Sequence, residues 1–490
     1  MTTEIKKILV ANRGEIAVRI IRTAKDMGIK TVAIYSDADA YSLHVLMADE
    51  RVCVGAPSPE KSYLNIGRIA SIAEEYGVDA VHPGYGFLSQ NPNFIKELEE
   101  RDIIFIGPSY EVQRLVGNKL GARKFFYSNG IPVVPGTFTS VSPDDAITIA
   151  EELGFPVIVK PASGGGGIGM SIVWREEELK KSLKKAQELS KTAFNAQEVY
   201  IEKYFPDARH IEVQILGDTY NNIVHLFERE CSVQRRFQKI LEETPSPALT
   251  ESLRKKLFEI ALKAAKLCNY TNAGTFEFIY SPTYRQFYFL EVNSRIQVEH
   301  PITEMVTGID IVREQIKIAS GEPLPFKQEE ISRRGHAMEV RVYAEDPLNN
   351  FMPSTGNISE YREPAGPWVR VDSGIYEGVE VTSYYDPLLF KIIVWGSTRR
   401  EAINRMMRAL DETVVEGVIT NIFLHKTILK DRCFIDGEYD TKFLEKRDII
   451  GKLAQEEKKF KIKLPRKKEK APAIREEVDV WRVMSRLDLE

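Results

Sequence analysis

Two features of this chain suit phosphate chemistry, and the first is a glycine run. Lys160 stands just ahead of Ser163-Gly164-Gly165-Gly166-Gly167-Ile168-Gly169. Successive glycines let backbone N–H groups converge on an anion, because no Cβ blocks the approach. Lys160 sits where a cation reaches the same phosphates. Residues 164–169 match G-x-G-x-x-G, yet Met170–Trp174 reads as a strand, and a dinucleotide-binding fingerprint needs a helix there. No Gly-Lys-Ser/Thr closes the run as in a P-loop. What remains is a glycine flap between two strands, able to fold over a triphosphate. A loop with no ligand is the alternative.

The second feature is a pair of acids. Thr275–Tyr280 and Phe287–Val292 are strand-like runs around a turn containing Ser281-Pro282. Paired so that Glu277 faces Glu291, they put Phe276, Phe278, Tyr280, Tyr288, Leu290 and Val292 on one apolar face. Thr275, Glu277, Ile279, Phe289, Glu291 and Asn293 then share the other. Opposed carboxylates with Cβ atoms roughly 5 Å apart repel unless a cation sits between them. Hard oxygen donors suit Mg²⁺ held together with substrate phosphates, and Asn293 adds a neutral oxygen. Two solvent-facing acids are the alternative, and a one-residue slip would undo the pairing.

The next segment, Asn293–Pro301, is dense in polar groups. In an extended chain Arg295, Gln297 and Glu299 alternate and aim one way. Arg295 offers a planar fork for a carbonate-like or phosphate anion, and Glu299 a general base within reach of a bound substrate. A structural ion pair is the ordinary reading of such a motif alone. Glu202-Lys203, read locally, is a solvated charge pair, and His82 and His300 are structural histidines with no assigned role.

These groups need elements to position them. Lys7–Ala11, Glu15–Met27 (stopped by Gly28), Thr31–Tyr35, Asp79–Val81 and Ile103–Ile106 alternate strand and helix, which predicts a parallel sheet covered by helices. A helical stretch over 110–129 leads to a turn-rich boundary at Ile131–Gly136. A smaller unit to about Tyr204 holds strand Pro156–Lys160, the glycines and strand Met170–Trp174. Longer β-rich segments with helices (251–268, 309–319, 399–412) continue to about 446. The last stretch differs: Lys458–Lys470 holds eight basic residues, and Pro465 and Pro472 break any single helix. Val480, Val483, Met484 and Leu487 share one helical face beside Trp481, as a helix packed on its own chain or as a docking element.

Composition narrows the class. The chain has 490 residues, enough for about three domains at roughly 150 residues each. Its formal charge of −4 gives no global case for nucleic acid or a polybasic membrane contact. Cys53, Cys231, Cys268 and Cys433 lie far apart without a CxxC, so neither a zinc site nor a disulfide framework is indicated. No apolar run approaches the roughly 18 residues that span a bilayer. A cytoplasmic α/β multi-domain protein is expected.

With these residues in view, the chain resembles the biotin carboxylase family of ATP-grasp ligases over residues 5–446. The resemblance rests on ILVANRGEIAVRI (8–20), HPGYGFLS (82–89), VKPASGGGGIGM (159–170), CSVQRRFQK (231–239), EVNSRIQVEHPITEMVTG (291–308) and RVYAEDP (341–347). The flap and the Glu–Glu–Asn set are general to ATP-grasp enzymes, whereas HPGYGFLS, RxQVEHP and RVYAEDP are specific to biotin carboxylases.

The resemblance implies an N-terminal parallel βαβ domain (1–113), a helical linker (114–131) and a glycine-flap lid (132–204). It continues with an ATP-grasp core (205–335) and a β-rich C-terminal domain (336–446), leaving a charged tail (447–490). Lys119 and Lys160 are expected at the nucleotide phosphates under Gly164, Gly165, Gly166 and Gly167, with Glu202, Lys203, His210 and Gln234 around adenosine. Glu277, Glu291 and Asn293 are expected to hold Mg²⁺ or Mn²⁺ with ATP. Lys239, Arg295, Gln297 and Val298 are expected around bicarbonate with Glu299 as its base, and Tyr85 and Arg341 at biotin.

The implied reaction is ATP- and bicarbonate-dependent carboxylation of biotin through carboxyphosphate. Two departures stand out: Phe237 where many members have His, and Ile168 where others often carry Arg or Lys, each removing a polar contact near the nucleotide. The chain contains no Met-Lys dipeptide and leaves no room for a transferase. Biotin is therefore expected on a separate carrier protein, beside a carboxyltransferase subunit, with this chain a homodimer in an acyl-CoA carboxylase. A pyruvate or other 2-oxo acid carboxylase is the second choice. The competing readings are a carbamoyl-phosphate synthetase-like ligase and a silent nucleotide-binding regulatory subunit.

Overall fold

The computed structural model describes residues 2–162, 169–194 and 198–463. The N-terminal unit is the expected parallel sheet. Strands β1 (Lys7–Val10), β2 (Lys30–Ser36), β3 (Glu50–Gly55), β4 (Ala80–His82) and β5 (Ile104–Phe105) lie in the order β3-β2-β1-β4-β5, all neighbours parallel. Helix Gly14–Asp26 buries Ile16, Ile20, Ile21 and Ala24 against it, the i, i+4, i+5 and i+8 spacing of one helical stripe. The order in which strands are added reverses at β1, and the loops after β1 and β4 meet there. Asn12 Nδ2 donates to the carbonyls of Pro83 and Tyr85, both at 2.7 Å. Gly84 is required at this seam: its φ is +60° and a Cβ would stand 2.9 Å from Asn12 Nδ2.

The expected single helical stretch over 110–129 is two helices, Tyr110–Gly117 and Lys119–Ser128. Asn118 between them is extended, and its side chain accepts from the Gly121 N–H as the N-cap of the second. Lys119 thereby starts a helix aimed at the next unit.

That unit is a three-stranded antiparallel sheet, β6 (Val157–Pro161), β7 (Ser171–Val173) and β8 (Val199–Lys203), in the order β7-β6-β8. The strand–glycines–strand expectation thus holds at both flanks. Gly164, Gly165, Gly166, Gly167 and Ile168 lie outside the described residues, as do Val480, Val483, Met484 and Leu487. Helix Ile449–Lys463 runs to the last of the described residues.

The rest is built on one antiparallel sheet of eight strands. It contains β9 (Arg209–Gly217), β10 (Ile223–Arg235), β11 (Gln238–Thr244), β12 (Asn272–Ser281), β13 (Gln286–Asn293), β14 (His336–Tyr343), Leu388–Gly396 and Val369–Ser373. The order is β13-β12-β9-β10-β11-β14, then Leu388–Gly396 and Val369–Ser373. The ladder from Leu241↔Val340 to Thr244↔Ala337 carries the sheet without a break across residue 335. Helix Glu251–Leu267 covers Phe276, Phe278 and Phe289 at one end, and helix Arg399–Glu412 covers Val340, Ile392 and Val394 at the other.

The hairpin register departs from expectation in one place. Thr275↔Asn293, Phe276↔Val292 and Glu277↔Glu291 pair as expected, but a bulge follows and Phe278 meets Phe289. The extra residue, Leu290, shifts the rest of β13 by one. Phe287 and Phe289 therefore join the core, while Tyr288 joins Ile279 in a separate small cluster. The acid pair survives because the bulge begins just beyond it. Among the described residues no helix is long and apolar enough to cross a membrane.

Candidate active site

A cavity of about 520 Å³ opens between the three-stranded sheet and the β13–β12 end of the large one. It brings together Lys119, Lys160, Glu202, Lys203, His210, Gln234, Lys239, Glu277, Glu291, Asn293, Arg295, Gln297, Val298 and Arg341. Its two ends differ in chemistry.

One end is apolar with a few fixed polar groups, walled by Ile158, Tyr204, Phe205, Ile279 and the bulged Leu290. Glu202 is not the solvated acid that local reading gives. It is 1% exposed, with Lys160 Nζ at 2.5 Å and Arg123 also on its carboxylate. Burial alone would raise it, but Lys160 and Arg123 hold it below the usual carboxylate range. Lys203 spends its ammonium on the carbonyls of Gly154 and Phe155, at 2.8 and 3.3 Å. Gln234 and His210 Nδ1 lie 3.0 Å apart.

The other end is crowded with charge. Lys119 Nζ lies 3.0 Å from Glu291 Oε2. Lys239 Nζ donates to Glu277 Oε1 at 2.8 Å, to Glu299 Oε1 at 2.7 Å and to Glu212. It gets there because Arg236 and Phe237 make a two-residue turn between β10 and β11, both at positive φ (49° and 69°). Phe237 thus sits on the cavity wall.

Glu277 is wrapped: His210 Nε2 lies 3.0 Å from its Oε2, and Asn293 Nδ2 and Gln297 Nε2 donate to its Oε1 at 2.8 and 2.9 Å. Burial opposes its ionisation, yet Lys239 and His210 hold it far below its ordinary value. Glu277, Glu291 and Asn293 lie together on one cavity wall beside Lys119, and their hard oxygens are of the kind that suits a divalent cation carried with phosphates.

Residues 294–299 are not the extended strand expected. They turn, and Glu299 becomes the N-cap of helix His300–Thr307. Its side chain does not cap the helix. It turns to Lys239 and to Arg341 Nη2, the latter at 3.0 Å, and is fully buried. Burial alone would raise Glu299, but Lys239, Arg341 and Arg229 hold it well below the usual range. Arg295 donates to Gln90, Gln297 and Asn293 at 2.9, 2.9 and 3.1 Å. Arg341 also donates through Nε to Glu242, at 2.7 Å. Tyr85 is set back from the cavity wall: its hydroxyl donates to Glu15, which lies 3.2 Å from Lys391, and Lys391 donates to the Val298 carbonyl at 2.7 Å. His82 and His300 are fully buried, with ring nitrogens on the Gly84 N–H and the Gln297 carbonyl.

Sequence reasoning missed Gln90, Arg123, Glu212, Arg229, Glu242 and Lys391. Arg229 is fully buried and binds Glu212, Gln214, Thr275 and Thr303. In the sequence Gln90 is a turn residue and the others are ordinary strand or helix residues; only the tertiary fold brings them to the site.

Three family models match successive parts of the chain: "Biotin carboxylase, N-terminal domain" over 4–113, "Carbamoyl-phosphate synthase L chain, ATP binding domain" over 118–327, and "Biotin carboxylase C-terminal domain" over 339–446. The chain is 50% identical to biotin carboxylase 1 of Bacillus subtilis, over 91% of this chain and 100% of that one. It is equally 50% identical to a pyruvate carboxylase subunit of Methanothermobacter thermautotrophicus, over 90% of this chain and 89% of the relative. The biotin carboxylase domain dimer of Hydrogenobacter thermophilus 2-oxoglutarate carboxylase, solved with MgADP, ADP and bicarbonate, superposes with a TM-score of 0.89. That match has 45% identity and covers 91% of this chain and 98% of the other. The central model alone would also admit a carbamoyl-phosphate synthetase; the two flanking ones do not. On both flanks of its ATP-binding unit, and across nine-tenths of its length, this chain belongs to the biotin carboxylase family.

Proposed function

We propose that this chain catalyses the ATP- and bicarbonate-dependent carboxylation of biotin on a separate carrier protein. The observation that carries the reading is that Lys239 and Arg341, on the floor of a cavity whose other end suits a nucleotide, both hold the buried Glu299 just behind them. Glu299 is buried, ionised and free of any capping duty, so it can take a proton from bicarbonate held by Lys239 and Arg295. Bicarbonate then attacks the γ-phosphate, giving carboxyphosphate and ADP. Carboxyphosphate releases CO₂ and phosphate; the phosphate takes the biotin N1′ proton, and the nitrogen captures CO₂. Arg341 stabilises the negative ureido oxygen that forms. Lys119 and Lys160 neutralise the nucleotide phosphates, and Glu277, Glu291 and Asn293 would hold Mg²⁺ or Mn²⁺, which supplies further charge neutralisation when bound. We assign the lid to 132–204, with Gly164, Gly165, Gly166 and Gly167 as its phosphate cover, and Tyr85 to the biotin side.

The test is ATP hydrolysis with bicarbonate, with and without free biotin. Biotin-stimulated turnover is expected, and Glu299→Gln should abolish it while ATP binding stays nearly intact. Turnover that needs ammonia or glutamine and yields carbamoyl phosphate would overturn the assignment, as would ATP binding without any turnover.

The partners we propose are a biotin carboxyl carrier protein, a second copy of this chain and a carboxyltransferase subunit, in an acyl-CoA carboxylase. A 2-oxo acid acceptor is the second reading, favoured by the similarity to a 2-oxoglutarate carboxylase domain and to the pyruvate carboxylase relative. Transfer from carboxylated carrier to acetyl-CoA, pyruvate or 2-oxoglutarate in the reconstituted complex separates the two.

A further inference from the structure

Glu242 is a buried acid that the reaction above does not use. It stands on β11 directly opposite Glu339 on β14, and both side chains are fully buried. Glu242 Oε1 accepts from Arg341 Nε at 2.7 Å and lies 2.6 Å from Arg341 Nη2. The same Nη2 reaches Glu299 Oε2 at 3.0 Å. Arg341 is thus strung between two carboxylates, one of them the proposed base. Among the described residues neither oxygen of Glu339 has a hydrogen-bond partner, nor does Glu242 Oε2. An ion has no reason to sit in such a place unless it holds another.

We propose that Glu242 is the positioning residue for Arg341: its carboxylate fixes the guanidinium at two nitrogens and so sets the distance from Arg341 to Glu299 and to the cavity. The inference rests on the biotin carboxylase reading of the site. Arginine has a long side chain with several rotamers, and a two-point anchor removes most of them before substrate arrives. Glu339 lies outside this machinery: it binds neither Arg341 nor Glu299, and two opposed acids so close cannot both ionise cheaply.

The charged groups facing the pair are Arg341, Lys239, Glu299 and Lys391. Burial, against the pull of Arg341, pushes Glu242 up to about 7, and burial pushes Glu339 well above its ordinary value. The ionised Glu242 grips a guanidinium far more firmly than the neutral acid does. Activity should therefore fall as the pH drops through the region near 7.

The experiment uses the full chain with free biotin, bicarbonate and MgATP, comparing Glu242→Gln, Glu242→Asp and Glu339→Gln with wild type. For Glu242→Gln, kcat for biotin-stimulated ATP cleavage is expected to fall on the order of tenfold or more, with the KM for ATP within about twofold of wild type. The acid limb of the pH profile near 7 should flatten. Glu242→Asp should restore part of kcat and the limb, and Glu339→Gln should keep wild-type turnover, since the amide copies a neutral acid. A Glu242→Gln variant with wild-type kcat overturns the proposal. So does a loss spread equally over kcat and the KM for ATP with an unchanged pH profile, because that is what a merely structural role predicts. Equal damage from Glu339→Gln would overturn the assignment to Glu242. A wild-type chain with no biotin-stimulated turnover removes the underlying function and this inference with it, whereas an active wild type beside an indifferent Glu242→Gln removes the inference alone.

Discussion

The large sheet contains two pairs of glutamates directly opposed across antiparallel strands, and they behave in opposite ways. Glu277 and Glu291 face each other at the cavity, where Lys239, His210 and Lys119 stand beside them. Glu242 and Glu339 face each other between β11 and β14, where Arg341 is the cation bound to the pair among the described residues, and three of their four oxygens are unpartnered. Lys239 and His210 keep Glu277 ionised, whereas burial raises Glu242 to about 7 and keeps the proton on Glu339. Cross-strand geometry alone therefore does not say whether two acids form a metal site or share protons. The supply of cations decides.

The largest break of this contrast is Lys239→Met. It leaves Glu212, Glu277 and Glu299 buried without their common cation, so unfolding should become easier by about 3–5 kcal/mol, seen as an earlier urea midpoint, with turnover lost. A midpoint unchanged from wild type would mean the acids simply take up protons. Glu277→Gln comes next. Bicarbonate-dependent ATP cleavage should fall by about a hundredfold, and raising Mg²⁺ should recover only part of it; full recovery would remove Glu277 from the metal set.

A reference for acid sensitivity outside both pairs is His44, which burial drives down to about 4. Its folded form resists the proton that the unfolded chain accepts below about 6.5, so stability is lost as the pH falls from 7 to 5. The loss is about 2 kcal/mol, and His44→Gln should blunt it in denaturant titrations at the two pH values. The smallest effect expected is a gain. Glu339→Met removes two unpartnered carboxyl oxygens and should stabilise the chain by about 1 kcal/mol; a later urea midpoint would support the neutral state of Glu339, and an earlier one would argue for a charged partner.

What was legible in the sequence follows the distance over which each argument runs. Glu277, Glu291 and Asn293 came from alternation within one hairpin, and Arg295, Gln297 and Glu299 from one short run. The bulge at Leu290 was invisible, since counting parity along two strands cannot reveal an inserted residue, and it moved Phe289 from the polar face to the core. Lys239 and Arg341 came from family resemblance alone. Glu212, Arg229 and Glu242 went unread: β9, β10 and β11 pair in chain order, but only the out-of-order neighbours β12 and β14 bring Thr275, Glu277 and Arg341 beside them. In the N-terminal unit, β1, β2, β4, β5 and the first helix were readable almost to their ends, whereas edge strand β3 (Glu50–Gly55) and the helices Ile66–Glu75 and Pro92–Glu99 were not read. The helix break at Asn118 was hidden too, because capping needs only one side chain.

The eight-stranded sheet that runs past residue 335 has a consequence for timing. Lys239 on β11 and Arg341 on β14 belong to adjacent, laddered strands, so under the function we propose the groups assigned to bicarbonate and to biotin share one continuous sheet. Carboxyphosphate formed beside one would then meet the second substrate without two separate domains having to swing together. The short-lived intermediate is matched by a stationary bench, and any moving part has to come from above it.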